Sequence, residues 1–115
     1  MAFSDTELRR VEKAVSRFLD KRRPRPEIRP ELDHGYRIKG QSIELYSIRP
    51  KWNDPSQVRE EPIAKATYVR SQKVWKVFWM RADLKWHRYE TSAKVSSIEK
   101  FLSIVDEDEY GCFFG

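Results

Sequence analysis

His34, His87 and Cys112 are the side chains of this 115-residue sequence best suited to hold a metal or attack an electrophile, and their spacing speaks against both roles. A metal site needs three or four converging His, Cys or carboxylate ligands, usually announced by spacings such as Cys-x-x-Cys or His-x-x-x-His. Here each of the three stands alone, so neither a metal nor a cofactor is expected. Cys112 sits beside the acidic run Asp106-Glu107-Asp108-Glu109. Nearby carboxylates raise a thiol's pKa and suppress the thiolate that nucleophilic chemistry requires, so Cys112 reads as a small buried apolar residue. Asp83-Leu84-Lys85 has the acid-x-lysine form of a metal-dependent nuclease strand, with Asp83 as metal ligand and Lys85 as charge stabiliser. Chance alone supplies between one and two such pairs at this composition, and one is present. The same residues serve equally as the polar turn of a hairpin.

The aromatic and basic residues between Ile63 and Tyr89 say more. Trp75, Val77, Trp79 and Arg81 alternate with Val74, Lys76, Phe78 and Met80, and Leu84, Trp86 and Arg88 alternate with Lys85, His87 and Tyr89. Strand side chains point to opposite faces in turn, so both faces of this segment carry aromatic rings. A sheet covered on one side only would present rings among cations on the other, which is how single-stranded nucleic-acid binders stack bases. The residues proposed for that face are Lys65, Arg70, Trp75, Trp79, Arg81, Trp86 and Arg88. The leading reading is a non-enzymatic binding module whose partner is a protein or a single-stranded nucleic acid; the alternative is the nuclease-like enzyme using Asp83 and Lys85.

Placing these residues requires elements on both sides. Leu8, Val11, Val15, Phe18 and Leu19 recur at helical spacing, so the pattern predicts a helix over 5–22, started by the capping box Ser4 and Glu7. Arg9, Lys13, Arg17 and Lys21 line one row of it at i, i+4 spacing, flanked by Asp5, Glu12 and Asp20, and read as a solvated face. Pro24, Pro26 and Pro30 make residues 23–30 an extended, stiff connector. From 31 to 89 the period becomes two. A hairpin turns at Gly40, a strand runs from Ser42 to Arg49, and Lys51–Pro62, rich in turn residues, reads as a long loop. Three further strands follow, over Ile63–Arg70, Lys73–Arg81 and Leu84–Tyr89, with short turns between them. Ser96 and Glu99 form a second capping box ahead of a helix over 97–108, and Cys112-Phe113-Phe114 makes an apolar tail. The expected fold is therefore α+β: an N-terminal helix, a five-stranded antiparallel meander and a C-terminal helix, in two layers within one domain of residues 1–115.

Composition narrows the class. The net charge of +5 is uneven: +2 over residues 1–33, +7 over 34–89 and −4 over 90–115. A cationic, aromatic middle attracts phosphates or acidic protein surfaces, and the acidic tail opposes that field. With 13% aromatic residues the chain has the apolar side chains a folded core needs. No apolar run approaches the roughly 20 residues of a membrane span, so no membrane association is expected. A lone cysteine and an acidic N-terminus fit a cytoplasmic location.

Three stretches also carry a resemblance: Arg29-Pro30-Glu31-Leu32-Asp33-His34-Gly35-Tyr36-Arg37-Ile38, Ala64-Lys65-Ala66-Thr67-Tyr68-Val69-Arg70, and Trp79-Met80-Arg81-Ala82-Asp83-Leu84-Lys85-Trp86-His87-Arg88-Tyr89. With the ending Val105-Asp106-Glu107-Asp108, the sequence resembles a family of small single-domain bacterial proteins classed as a domain of unknown function. That resemblance implies a bacterial cytoplasmic protein, complete as it stands, and assigns no site residue.

Overall fold

A computed structural model describes residues 2–114. Helix α1 (Asp5–Arg22) leads into strands β1 (Asp33–Lys39), β2 (Ser42–Lys51), β3 (Asp54–Val69), β4 (Val74–Met80) and β5 (Trp86–Arg88). A short 3₁₀ turn (Glu90–Ser92), the two-residue strand β6 (Lys94–Val95) and helix α2 (Ile98–Glu107) complete the described chain. Strands β1 to β5 form an antiparallel meander in sequence order, and β6 pairs with β4 beside it. The expected α+β architecture of two helices and a five-stranded meander is the one observed.

Both helices pack on one face of the sheet. Val11, Val15 and Leu19 of α1 meet Ile98, Phe101, Leu102 and Val105 of α2 over Ile43, Leu45, Ala64, Ala66, Trp75 and Val77 of the sheet. The start of α1 is held as its sequence dictates, with Glu7 N donating to Ser4 Oγ and Ser4 N donating to Glu7 Oε1. Gly40 takes φ 57° at the β1–β2 turn, the left-handed torsion that glycine adopts without steric cost.

Three local expectations differ from the structure. Residues 51–62 are not a loop; β2 and β3 continue past the rest of the sheet as a two-stranded arm that turns at Trp52 and Asn53. The prolines that suggested a break lie where a strand has an open flank. Pro50 lies beyond the last β1 pair, Asp33↔Ile48, and Pro55 and Pro62 precede the first β4 pair, Ala64↔Trp79, so a missing N–H on that side removes no ladder bond. The connector is likewise coiled rather than extended: Ile28 N and Arg29 N both donate to Arg25 O, and Leu32 N to Ile28 O. Pro26 fixes a torsion that suits the opening position of a turn as well as an extended chain. Finally, α2 is capped by Ser97, whose Oγ accepts from Lys100 N, and not by Ser96. Glu99 then lies one position too early to close a capping box and instead reaches Arg10 at 3.2 Å. The short strand β6 has no counterpart in the sequence reading.

Candidate binding surfaces

Directly opposed residues of an antiparallel pair share a face. The β4–β5 register pairs Phe78 with Arg88, Trp79 with His87 and Met80 with Trp86, and the β3–β4 register pairs Lys65 with Phe78. Lys65, Phe78, Met80, Trp86 and Arg88 therefore look out from the side that carries no helix. Lys76 joins them, opposite Thr67. Ala64, Ala66, Trp75, Val77 and Trp79 look toward the helices.

The seven residues proposed from sequence thus divide between the two faces. Lys65, Trp86 and Arg88 come together on the open face. Trp75 is only 6% exposed, its ring 5.6 Å from Phe3 and 5.0 Å from Tyr68. Trp79 is half-buried against the core, with the Arg81 guanidinium 5.5 Å from its ring centroid. Arg70 binds Glu7 at 2.7 Å and the carbonyl of Ala2 at 3.1 Å, fastening the end of β3 to the first turn of α1. That bond, with the Ser4 amide, holds the Glu7 carboxyl down to about 2.

On the open face the cations lie over rings. Lys65 Nζ is 5.7 Å from the Phe78 centroid and 5.9 Å from that of Trp86, and the Arg37 guanidinium is 4.5 Å from Tyr46. Ring quadrupoles attract such cations. Gly35 is what lets Tyr46 lie this close, because a Cβ at that position would stand 2.9 Å from the tyrosine ring. Arg37 also pairs with Glu60 and, at 3.7 Å, with Glu44. A depression of about 200 Å³ lies among Arg37, Tyr46, Glu60 and Trp86. Among the described residues no acid stands within ion-pair distance of Lys65, Lys76 or Arg88. Sequence reasoning missed Arg37, Tyr46 and Phe78, and the signal that identifies them is cross-strand register: the Arg81–Lys85 turn, with Leu84 at φ 61°, sets Phe78 opposite Arg88, and the turn at Gly40 sets Arg37 opposite Glu44 and Tyr46 opposite Gly35.

Neither the 51–62 arm nor the C-terminal tail lies over this face. The 51–62 arm continues β2 and β3, and the tail turns to the helix side. There Phe113 packs 5.0 Å from the Tyr89 ring, and Phe114 lies 5.6 Å from His34 and under the Arg22 guanidinium at 4.0 Å. Asp108, in a left-handed conformation at the end of α2, accepts from the amides of Phe113 and Phe114 and locks the tail there.

The nuclease candidate takes the turn role. Asp83 Oδ1 accepts from Lys85 N at 3.0 Å and its Oδ2 lies 2.8 Å from His87 Nε2, which holds the Asp83 carboxyl below its usual range. Among the described residues no three His, Cys, Asp or Glu side chains are grouped to hold a metal. Cys112 is half-buried, and burial with Asp108 nearby pushes its thiol up. No helix among the described residues is long and apolar enough to cross a membrane.

A family model described as a domain of unknown function, DUF3024, matches residues 3–115. The chain belongs to the DUF3024 family. No curated protein and no solved structure matches it. The family match spans both layers of the fold, so the helices and the open sheet face are parts of one DUF3024 domain and not a grafted pair.

Proposed function

We propose that this DUF3024 chain is a non-enzymatic binding module that receives single-stranded nucleic acid on its open sheet face. The observation that supports this most is the placement of Lys65 over both Phe78 and Trp86, with Arg88 and Lys76 beside them and free of acidic partners. Phe78 and Trp86 sit on neighbouring strands in diagonal register, within reach of successive bases. A stacked base is worth roughly 1 to 3 kcal/mol, and every base has a face to stack, so such a surface binds with little sequence preference. Lys65 would then move from the rings to a phosphate, exchanging a cation–ring contact for an ion pair.

Titration with oligo(dT) and with mixed-sequence RNA, followed by tryptophan fluorescence, tests the proposal. Affinity should fall with salt by a log-log slope of about 0.7 per phosphate contacted. Lys65→Ala and Arg88→Ala should each flatten that slope, while Trp86→Ala should weaken binding at every salt concentration. If neither ligand binds at low salt, the nucleic-acid reading fails. The face then fits a protein partner seated on a buried aromatic anchor, whose affinity depends little on salt.

A further inference from the structure

We infer that the groove between α1 and α2, on the opposite layer, is a second binding site whose ligand is an acidic amphipathic helix of a protein partner. The groove has a volume of about 510 Å³. Its floor is apolar, made by Ala14 and Phe18 of α1 and Leu102 of α2, and one wall carries Lys13, Arg17 and Lys21. These three stand at successive i, i+4 positions, so they form a straight row about 12 Å long. Among the described residues none of them has an acidic partner. The nearby acids are engaged elsewhere: Glu99 with Arg10 at 3.2 Å, and Asp106 with Arg22 at 2.9 Å. Asp20, three residues beyond Arg17, makes no ion pair with it.

A bare row of cations would be an ordinary solvated face. Here it borders an apolar trough, and that combination selects the ligand. A helix laid in the trough reaches the floor with leucine-like side chains at i, i+3, i+4 and i+7, and offers carboxylates to the lysine and arginine row from a separate set of positions, spaced four apart along one edge of that apolar face. A phosphate backbone has nothing to place against Phe18 and Leu102, and it would meet Glu99 and Asp106 on the far wall. A second copy of this chain fits poorly as well: the acids of α1, Asp5, Glu7, Glu12 and Asp20, follow one another at intervals of two, five and eight and form no such row. The site is independent of the one on the sheet face.

The probe is a fluorescein-labelled helical peptide with glutamates every fourth residue along one edge of a leucine face, compared with a scrambled peptide of identical composition. Wild type should bind the probe at least tenfold more tightly than the scramble. Arg17→Glu, an exposed change that leaves the core untouched, should abolish that preference, and a peptide with lysines in place of the glutamates should recover binding to the variant. Ser103→Arg, which fills the trough from α2, should also reduce binding at least tenfold while circular dichroism stays native. Equal affinity for probe and scramble, indifference to Arg17→Glu, or no binding at all would overturn the inference. So would duplex DNA binding that competes with the probe and disappears in Arg17→Glu, because the row would then be a polyanion site. Concentration-dependent self-association of wild type lost in Arg17→Glu would replace the partner with a second copy.

Discussion

The open sheet face and the α1–α2 groove are both cationic and partly apolar, yet they are built in opposite ways. On the sheet, cations lie across aromatic rings: Lys65 spans Phe78 and Trp86, and Arg37 covers Tyr46 while pairing with Glu44 and Glu60. On the helix layer, Lys13, Arg17 and Lys21 rise from a single row beside a trough and touch no acid. Rings on a sheet are fixed by the strands beneath them and suit flat ligands. A helical row fixes only a line of charge, and suits a ligand that brings a line of its own. The same residue types thus imply different partners, and it is the supporting element that decides.

The largest expected effect separates tryptophans that sit close in sequence on two faces. Trp75→Ala should destabilise the fold by about 3 to 5 kcal/mol, because it empties a site packed by Phe3 and Tyr68 under both layers. Trp86→Ala should cost far less in denaturant melts, its ring being half-exposed, and should instead cost about 1 to 3 kcal/mol in oligonucleotide binding. Equal destabilisation by the two would mean that the faces are not distinct. Acidic-peptide binding should survive Trp86→Ala and be lost with Trp75→Ala only above the variant's lowered melting point.

That contrast also marks how far the sequence alone is legible. Helical and strand periods, the Ser4 cap and the Gly40 turn are local properties, and each is realised where its residues stand. Alternation along β4 is equally local, and it correctly separates Trp75 and Trp79 from Phe78. What alternation within one strand does not contain is its phase relative to the next strand. Trp86 and Arg88 therefore grouped with Trp75 and Trp79 in the sequence, whereas the register sets them beside Phe78 and Met80. The prolines of the arm misled for a similar reason. Proline forbids a strand interior only where a neighbour needs its N–H, and which flank is open depends on where β1 and β4 end. Of the groove, the basic row was visible and its meaning was not, because the trough requires α2, nearly a hundred residues along, to lie against α1.

A smaller effect tests the groove through its wall. Ser97→Ala removes the acceptor for Lys100 N at the start of α2 and should cost about 1 kcal/mol, whereas Ser96→Ala should change stability little. Since α2 forms one wall of the groove and none of the open sheet face, Ser97→Ala should weaken acidic-peptide binding more than oligonucleotide binding. A matching loss for Ser96→Ala would place the cap one residue earlier and return Glu99 to a capping role.

The smallest expected effect uses pH to soften one layer before the other. His34 lies on the helix side, against Phe114 and 3.4 Å from Ser47 Oγ, and burial holds its pKa below the usual 6.5. Arg22, Arg49 and Arg23 push in the same direction, and Asp33 opposes them. Just below pH 6.5 the unfolded chain therefore binds more protons than the folded one, so stability falls as the pH drops through that value and levels off once folded His34 is itself protonated. The Glu7 carboxyl acts in a lower window: held down to about 2, it contributes stability that is complete above pH 4.5 and is lost as the pH falls toward 2. Protonated His34 would repel Arg22, which stacks on Phe114 and anchors Asp106 at the end of the groove. Melting temperatures measured from pH 7.5 to 5.5 should therefore decline more steeply for wild type than for His34→Gln. Over the same range acidic-peptide affinity should fall in wild type and hold more nearly level in the variant, after allowance for protonation of the peptide itself. Parallel melting profiles for the two proteins would show that His34 is solvated, and that the tail does not brace the groove through it.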